Sequence, residues 1–169
     1  IEILKQTDTN SVLVFTRTRR RAEKLDRQIS AAGFNVTSLH SDRTQGQRQS
    51  ALKGFKEGRH DIMVATDIAA RGLDVESISH VINYDMPDTA DAYIHRIGRT
   101  GRAQKTGDAF TLVTDEDEDL IKKLERIMGA PLKRETIAGF DYTVPAPPRP
   151  AGAIRGRGIS RADARPPRP

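Results

Sequence analysis

The sequence predicts an α/β fold in which an open, mostly parallel β-sheet carries helices on both faces, followed by a disordered basic tail. Short apolar runs rich in β-branched residues alternate with segments in which apolar residues recur at helical spacing. Continuous apolar strands separated by helices are typical of a parallel sheet that is buried on both sides. The 169 residues are enough for one such domain.

Five strands are expected along the chain, at residues 11–16, 36–40, 61–67, 80–85 and 109–114. A helix follows the first strand and is expected to end near Gly33, since glycine favours the position after a helix. Leu52 and Phe55 mark the inner face of a second helix, from about 44 to 57. A last helix begins in the acidic run DEDED and continues into basic turns, which suits the helix dipole.

Residues 144–169 form the predicted tail, and residues 1–143 form the predicted folded domain. The tail holds six Arg, one Asp and seven of the nine prolines, so it carries the whole net charge of +5. Pro, Arg and Gly without periodicity cannot bury enough surface to offset chain entropy, which predicts disorder. Its RGRG motif would hold phosphates loosely, or the segment would serve as a solubilising linker.

The composition excludes several classes of protein. No apolar run approaches the ~20 residues that a membrane span requires, and the N-terminal IEILKQTDTN lacks the features of a signal peptide. The absence of cysteine excludes disulfides, a thiolate nucleophile and a cysteine-based zinc site. We therefore expect a cytoplasmic protein with no membrane partner.

Polar and basic residues follow four of the predicted strands. The segments are TRTRRR (16–21), HSDRTQGQR (40–48), TDIAARGLD (66–74) and DMPDTADAYIHRIGRTGR (85–102). Because ligands of open α/β sheets bind beyond the carboxyl ends of the strands, we expect a phosphate-bearing ligand at this edge. The alternative for the arginines at 19–21 is that they form a solvent-exposed helix face. Positive charge at the start of a helix is unfavourable with respect to the helix dipole, however, unless the arginines bind an anion.

The segment TDIAARGLD offers two carboxylates around a short turn. Thr66 and Asp67 would cap that turn, which is a purely structural interpretation. Gly72 indicates a tight backbone position, since glycine tolerates a positive φ. Asp74 is displaced around the turn and is well placed for a ribose hydroxyl.

The segment HRIGRTGR gathers three arginines. His95 and Arg99 are four residues apart and are expected on one helix face, with Arg102 one turn later and Arg96 pointing elsewhere. Guanidinium groups this close repel one another unless an anion lies among them, and a phosphate chain fits their planar forks. The alternative is that they pair with the upstream carboxylates of Asp85, Asp88 and Asp91.

No metal site is expected. His95 lies among arginines, which disfavour a metal cation, and no second histidine lies near it in the sequence. The other three histidines, His40, His60 and His80, are interpreted as structural or surface residues.

Four of these segments together resemble the C-terminal-lobe signatures of DEAD-box RNA helicases. VLVFTRTRR, QGQR, ATDIAARGLDV and HRIGRTGR occur in the order of that family, over residues 8 to 130. ARGLD with HRIGRTGR is the specific part and is similar to bacterial members. Other helicases of the superfamily also carry arginine-rich segments here. The resemblance implies a RecA-like helicase C-terminal domain that acts on RNA.

The resemblance also implies roles for individual residues. Arg99 and Arg102 would contact the γ-phosphate of ATP, with Arg102 as the arginine finger that stabilises charge during phosphoryl transfer. Asp74 would bind the ribose of ATP. His95 would couple this lobe to a second lobe, and Arg71 would serve a ligand or the lobe interface. The RNA backbone would be gripped by Thr18, Arg19, Gln45, Arg48 and Thr66.

The chain departs from the family pattern at one segment. Ser41 stands in HSD where the family usually has glycine, and Arg43 follows where an apolar residue is common. Arg43 would therefore add a phosphate contact.

The 169 residues contain neither a Gly-rich phosphate loop with its lysine nor an acidic DEAD motif. The resemblance therefore implies one lobe of an ATP-dependent RNA helicase, inactive alone, whose N-terminal RecA-like lobe holds most of the ATP and Mg²⁺. The first alternative is a stand-alone RNA-binding module, in which the arginines touch RNA phosphates without ATP. The second is a docking domain that uses Arg96 on a protein partner.

Overall fold

The computed structural model describes residues 1–7, 10–71, 75, 78–100 and 107–144. Residues 1–137 form one compact unit, and a second unit begins at Ala138. The elements of the first unit are α1 (Glu2–Gln6), β1 (Val12–Thr16), α2 (Arg19–Ala31), β2 (Val36–Leu39), α3 (Gln45–Lys56), β3 (Ile62–Thr66), α4 (Asp67–Ala70), β4 (His80–Asn83), α5 (Ala90–Ile97), β5 (Asp108–Thr111), a 3-10 turn (Asp115–Asp117) and α6 (Glu118–Met128).

The five strands form one sheet in the order β2-β3-β1-β4-β5, and every pairing is parallel. Strand β1 is central and pairs with β3 from Val12↔Ile62 to Thr16↔Thr66. The predicted open parallel α/β sheet is therefore confirmed. Because all strands run the same way, their carboxyl ends lie at one edge, and β1 ends between β3 and β4.

Both faces of the sheet are buried against helices. Leu13, Phe15 and Met63 pack on one face against Phe55 of α3 and the alanines of α4. On the other face, Val12, Val14, Ile62, Val64 and Ile82 pack against α1 and α2. The alternation of faces along each strand explains why the strands are continuously apolar.

A third apolar cluster joins α5 to α6. Met86, Ala90 and Tyr93 pack against Ile121 and Leu124, all of them buried. Packing against α6 therefore holds α5 in place.

Local sequence signals explain most helix ends. Gly33 has φ 90° directly after the last turn of α2, as expected from a glycine in this position. Thr44 and Gln47 form a reciprocal capping box at the start of α3. Gly129 ends α6 in the left-handed conformation.

Two elements differ from the predictions. Helix α1 was not predicted, yet Leu4 is buried against the α2 face of the sheet. Strand β5 is an edge strand whose Asp108 and Ala109 are exposed, so the run AFTLVT is not buried on both sides. Apolar content alone does not separate an edge strand from a central strand.

Within the second unit, the structure describes residues 138–144, where Phe140 and Tyr142 meet edge to face with ring centroids 4.8 Å apart. The rest of the predicted tail lies outside the described residues, and its boundary at 143 stays a prediction. In the described part of the chain, none of the helices has the length and apolarity to cross a membrane.

Candidate functional site

The predicted site lies where β1, β3 and β4 end side by side. Thr16 and Thr66 are register partners at the ends of β1 and β3, and Phe15 pairs with Asn83 near the end of β4. The polar segments that follow these strands are therefore neighbours, as expected from the sequence.

Arg96 is the best-connected side chain at this edge. It lies on α5 and is only 2% exposed. Its Nε and Nη2 donate to the two carboxylate oxygens of Asp67, both at 2.6 Å. Its Nη1 donates to Asn83 Oδ1 at 3.2 Å and to the carbonyl oxygen of Asp85 at 2.7 Å. The guanidinium carbon lies 5.0 Å from the ring centroid of Phe15. One side chain thus joins α5 to the ends of three neighbouring strands.

This network corrects the expected role of the turn after β3. Thr66 occupies the N-cap position of α4 but makes no side-chain capping hydrogen bond. The Asp67 carboxylate instead receives the fork of Arg96, a bidentate geometry that guanidinium and carboxylate groups match well.

Asp85 forms a second junction, between β4 and β1. Its carboxylate is buried and accepts from the backbone N–H of Arg17 at 2.8 Å and from the guanidinium of Arg21. Arg17 Nη2 also donates to the Met86 carbonyl at 3.0 Å and lies 3.3 Å from Asp88. The carboxylates of Asp85 and Asp88 therefore pair with arginines that follow β1, and not with HRIGRTGR as in the alternative interpretation of the sequence.

Two residues of the predicted RNA-binding set meet around one small cleft, together with Arg71, which was expected to serve a ligand or the lobe interface. Gln45 and Arg48 of α3 and Arg71 at the end of α4 line a cleft of about 160 Å³. Leu39 and Leu52 supply part of its apolar wall. Gln45 and Arg71 are exposed and Arg48 is half-buried, so their polar ends are accessible.

The other members of the predicted grip lie elsewhere along the edge. Thr18 is the N-cap of α2, and its hydroxyl accepts from the backbone N–H of Arg21 at 3.3 Å. Arg19 is exposed, and its Nη1 lies 2.6 Å from Oδ1 of Asp42. The predicted RNA-binding residues therefore include polar groups that are already hydrogen-bonded within the protein and polar groups that are accessible to a ligand.

The arginines of HRIGRTGR do not share one helix. Helix α5 ends at Ile97, and Gly98 is its C-cap, so the expected shared face of His95 and Arg99 is wrong. The backbone N–H of Arg99 donates to the Arg96 carbonyl at 3.1 Å, which turns the chain out of the helix. His95 is exposed on α5 and Arg99 is half-buried. Gly72, Asp74 and Arg102 lie outside the described residues.

A second cleft, of about 440 Å³, lies between α2 and the end of β2. Arg43 Nη2 donates to Ser38 Oγ at 3.0 Å and lies 3.7 Å from Asp26 there. Ser38 Oγ in turn donates to Asp26 Oδ2 at 2.6 Å. Arg43, expected to add a phosphate contact, is thus held by an intramolecular carboxylate.

An exposed ion pair away from these junctions shifts the pKa values of both its members. Two hydrogen bonds from the Arg134 guanidinium to the Glu118 carboxylate lower the pKa of Glu118 and raise the pKa of Arg134. This pair joins α6 to the following segment on the exposed surface.

Sequence reasoning missed the residues that hold the edge together. Arg17, Arg21, Asp67, Asp85 and Arg96 were placed among ligand-binding segments or their alternatives, yet all five are engaged in intramolecular pairs. A sequence signal exists for Arg17 and Asp67, which directly follow the buried strands β1 and β3, and for Asp85, two residues after β4. A charged group beside a buried strand end requires a partner. Arg21 and Arg96 lie on helices and carry no such signal.

Comparisons with known proteins identify the family to which this chain is similar. Residues 1–104 match the family described as helicase conserved C-terminal domain. The chain is 44% identical over 137 residues to the ATP-dependent rRNA helicase RRP3 of Candida glabrata, covering 81% of this chain and 28% of that protein. It is 42% identical over 134 residues to the DEAD-box ATP-dependent RNA helicase CshA of Bacillus licheniformis, covering 75% and 28%.

The fold also matches a solved structure. The Escherichia coli DEAD-box protein SrmB, crystallised with regulator of ribonuclease activity A, superposes with a TM-score of 0.78 at 41% identity, covering 87% of this chain and 86% of that chain. The chain therefore belongs to the helicase C-terminal domain family. Within that family it is the C-terminal lobe of a DEAD-box RNA helicase, and it spans little more than a quarter of the length of the curated relatives it matches.

Proposed function

We propose that this lobe supplies RNA-backbone contacts and an arginine finger to an ATP-dependent RNA helicase that unwinds RNA duplexes locally. The observation that carries the proposal is the cleft at the carboxyl edge, where Gln45, Arg48 and Arg71 converge. The relatives RRP3 and CshA are an ATP-dependent rRNA helicase and an ATP-dependent RNA helicase, which supports the same substrate class.

The RNA contact is expected to be independent of sequence. Arg48 and Arg71 present guanidinium groups to phosphates, and Gln45 offers an amide to a ribose hydroxyl. Contacts to phosphate and sugar position a strand but do not read its bases. Thr18, Arg19 and Thr66 extend the grip along the ends of β1 and β3.

ATP is a substrate shared with an N-terminal RecA-like lobe, which would hold most of the nucleotide and the Mg²⁺. The chemistry of the donors fits: Arg99 follows α5, and guanidinium forks match phosphate oxygens. In the closed protein, Arg99 and Arg102 would face the γ-phosphate and stabilise its developing charge. Asp74 would hold the ribose, and His95, exposed on α5, would contact the other lobe. If Arg71→Ala leaves RNA binding unchanged, Arg71 serves this lobe interface instead.

The RNA contact is tested by the affinity for a fluorescent single-stranded RNA, measured by anisotropy over a range of salt concentrations. Arg48→Ala and Arg71→Ala are each expected to reduce the slope of log affinity against log salt by about 0.7, the value for one phosphate contact on a single strand. Arg126→Ala, in the last turn of α6, is the matched control. An unchanged slope in both cleft variants would exclude this cleft as the RNA site.

The arginine-finger role is tested in the protein that contains both lobes. Arg102→Ala is expected to retain RNA binding and to reduce the rate of ATP hydrolysis by about 10³-fold or more. Near-normal turnover would reject the finger role. The 169-residue chain alone is expected to hydrolyse ATP no faster than buffer; RNA-stimulated turnover by it would contradict the two-lobe proposal. The cytoplasmic location stays a prediction.

A further inference from the structure

His40 has no place in the proposed helicase chemistry, and its surroundings are unusual. It follows β2 directly and is only 2% exposed. Among the residues that the structure describes, neither ring nitrogen has a hydrogen-bond partner, although both are buried. Buried polar atoms are nearly always paired with protein, water or an ion, so two orphaned nitrogens on one ring require an explanation.

Two carboxylates lie beside this imidazole. Glu23 belongs to α2, and Asp42 lies two residues beyond His40. Nε2 of His40 is 3.9 Å from Oε1 of Glu23, too far for a hydrogen bond. One ligand atom from each of Glu23, His40 and Asp42 lies within 4.8 Å of the other two. All three line the cleft of about 440 Å³.

We propose that Glu23, His40 and Asp42 bind a divalent transition-metal ion, with Zn²⁺ as the best match. One imidazole nitrogen and two carboxylate oxygens form a donor set that zinc accepts, with water completing the coordination. This assigns a partner to one orphaned nitrogen. It also departs from the expectation, drawn from the sequence, that the chain holds no metal.

The geometry requires only a small closure of the side chains. Two ligand atoms bound to zinc at about 2.1 Å and at the tetrahedral angle lie about 3.4 Å apart. The carboxylate side chains are 40% and 45% exposed for Glu23 and Asp42, so they have room to change rotamer. His40 is fixed by burial, which gives the site one rigid ligand and two adjustable ligands.

The charges around the cleft divide into pairs. Arg43 is held by Asp26 and Ser38, so its charge is locally balanced. Arg19 contacts Oδ1 of Asp42, which leaves Oδ2 of that carboxylate for a metal. Arg27 also lines the cleft and opposes a cation there. The site should therefore bind more weakly than a closed structural zinc site.

The nitrogen ligand determines which metals fit. Mg²⁺ prefers oxygen ligands in octahedral geometry, whereas imidazole suits zinc and its transition-metal neighbours. Magnesium at the concentrations used for ATP hydrolysis should therefore leave this site to zinc.

The experiment titrates the metal-free chain with Zn²⁺ by calorimetry and with Co²⁺ by visible absorption, which reports the coordination geometry. One equivalent is expected to bind with a low-coordinate cobalt spectrum and to raise the melting temperature. Glu23→Gln and Asp42→Asn should each weaken binding by about tenfold or more, since loss of even an outer-shell partner costs 10- to 100-fold. His40→Gln should abolish it.

Controls separate this site from adventitious binding. Glu57→Gln removes an exposed surface carboxylate, and His60→Gln removes a histidine outside the cleft. Both are expected to bind zinc as the parent chain does. Because Glu23 and Asp42 are partly exposed, their variants remain informative if His40→Gln does not fold. Absence of binding, equal binding in all three site variants, or displacement by millimolar Mg²⁺ would each overturn the proposal.

Discussion

Arg96 of the segment HRIGRTGR and Arg19 of the segment TRTRRR have contrasting surroundings. The Arg96 side chain is 3% exposed and donates four hydrogen bonds, to Asp67, Asn83 and the Asp85 carbonyl. The Arg19 side chain is 54% exposed and contacts one carboxylate, that of Asp42, which is itself 45% exposed. The same residue type therefore holds the fold at position 96 and remains accessible to solvent at position 19.

The contrast shows that arginine density does not by itself mark a ligand site. Each segment contains members that hold strand ends together, namely Arg17 and Arg21 in the first and Arg96 in the second. The exposure of the arginine alone does not separate the two kinds, since Arg21 is 56% exposed and Arg19 is 54% exposed. What differs is that the pairs of Arg21 with Asp85 and of Arg96 with Asp67 each contain one buried member, whereas both members of the pair of Arg19 with Asp42 are exposed. A ligand can therefore reach Arg19 more readily than it can reach the buried guanidinium of Arg96.

The largest effect is expected for Arg96→Ala. The change leaves Asp67 without its fork and the buried Asn83 amide oxygen without its donor, so we expect a loss of about 3 kcal/mol in the free energy of unfolding. Arg96→Lys should recover little of it, because an ammonium cannot replace a bidentate fork. Urea denaturation measures both, with Arg20→Ala on α2 as a control expected within about 0.5 kcal/mol. A loss below 1 kcal/mol for Arg96→Ala would mean that Arg96 holds the fold no more strongly than an exposed arginine such as Arg19.

A smaller loss is expected for Asp85→Asn. Asp85 is buried, and its carboxylate accepts from the Arg17 backbone and the Arg21 side chain, but an amide oxygen retains part of this acceptance. We expect about 1–2 kcal/mol by urea denaturation, in the range of a hydrogen bond to a charged group. Arg21→Ala should cost less, since the Arg21 side chain is 56% exposed. A larger loss for Arg21→Ala than for Asp85→Asn would mean that the Arg21 side chain contributes more to stability than the Asp85 carboxylate.

Arg19→Ala should leave stability within about 0.5 kcal/mol, because an exposed ion pair contributes little. Its effect should instead appear in RNA binding, where the salt slope is expected to fall by about 0.7. Denaturation and salt-dependent anisotropy on the same preparation check both quantities. If Arg19→Ala destabilised the protein as much as Arg96→Ala does, both arginines would be structural, and their difference in burial would not matter.

The smallest effect is expected for the exposed pair of Glu118 and Arg134. Hydrogen bonding to Arg134 lowers the pKa of Glu118 in the folded protein, so the pair stabilises the fold above the ordinary glutamate pKa. That contribution is lost as the pH falls through the lowered value. The small stability difference between the parent chain and Arg134→Gln should therefore vanish in acid. A difference that persists below this pH would exclude the ion pair as its cause.

Much of the fold could be predicted because its signals are local. The β-branched runs located all five strands, and the glycine after α2 located a helix end. The register between distant strands places Thr16 beside Thr66, and no local pattern encodes that pairing. Helix α1 was missed because five residues are too few to show a helical period.

The candidate site could be predicted as a set of segments, but not as a set of contacts. Arg48 and Arg71 come from different segments and share a cleft, as the strand-end rule predicts. The partner of Arg96 was not predictable, because Asp67 is 29 residues away and was interpreted as a helix cap. The end of α5 was misjudged because the histidine and arginine spacing continues a helical pattern past Gly98.

The fork of Arg96 on Asp67 also bears on how the lobe moves. Asp67 is the first residue of α4, whose far end carries Arg71, and Arg96 lies on the same helix as His95. Two parallel hydrogen bonds restrain both the distance and the angle between Asp67 and Arg96, and thereby between the start of α4 and α5. We therefore expect that a displacement of α5 would also move α4, and with it Arg71 at the edge of the cleft.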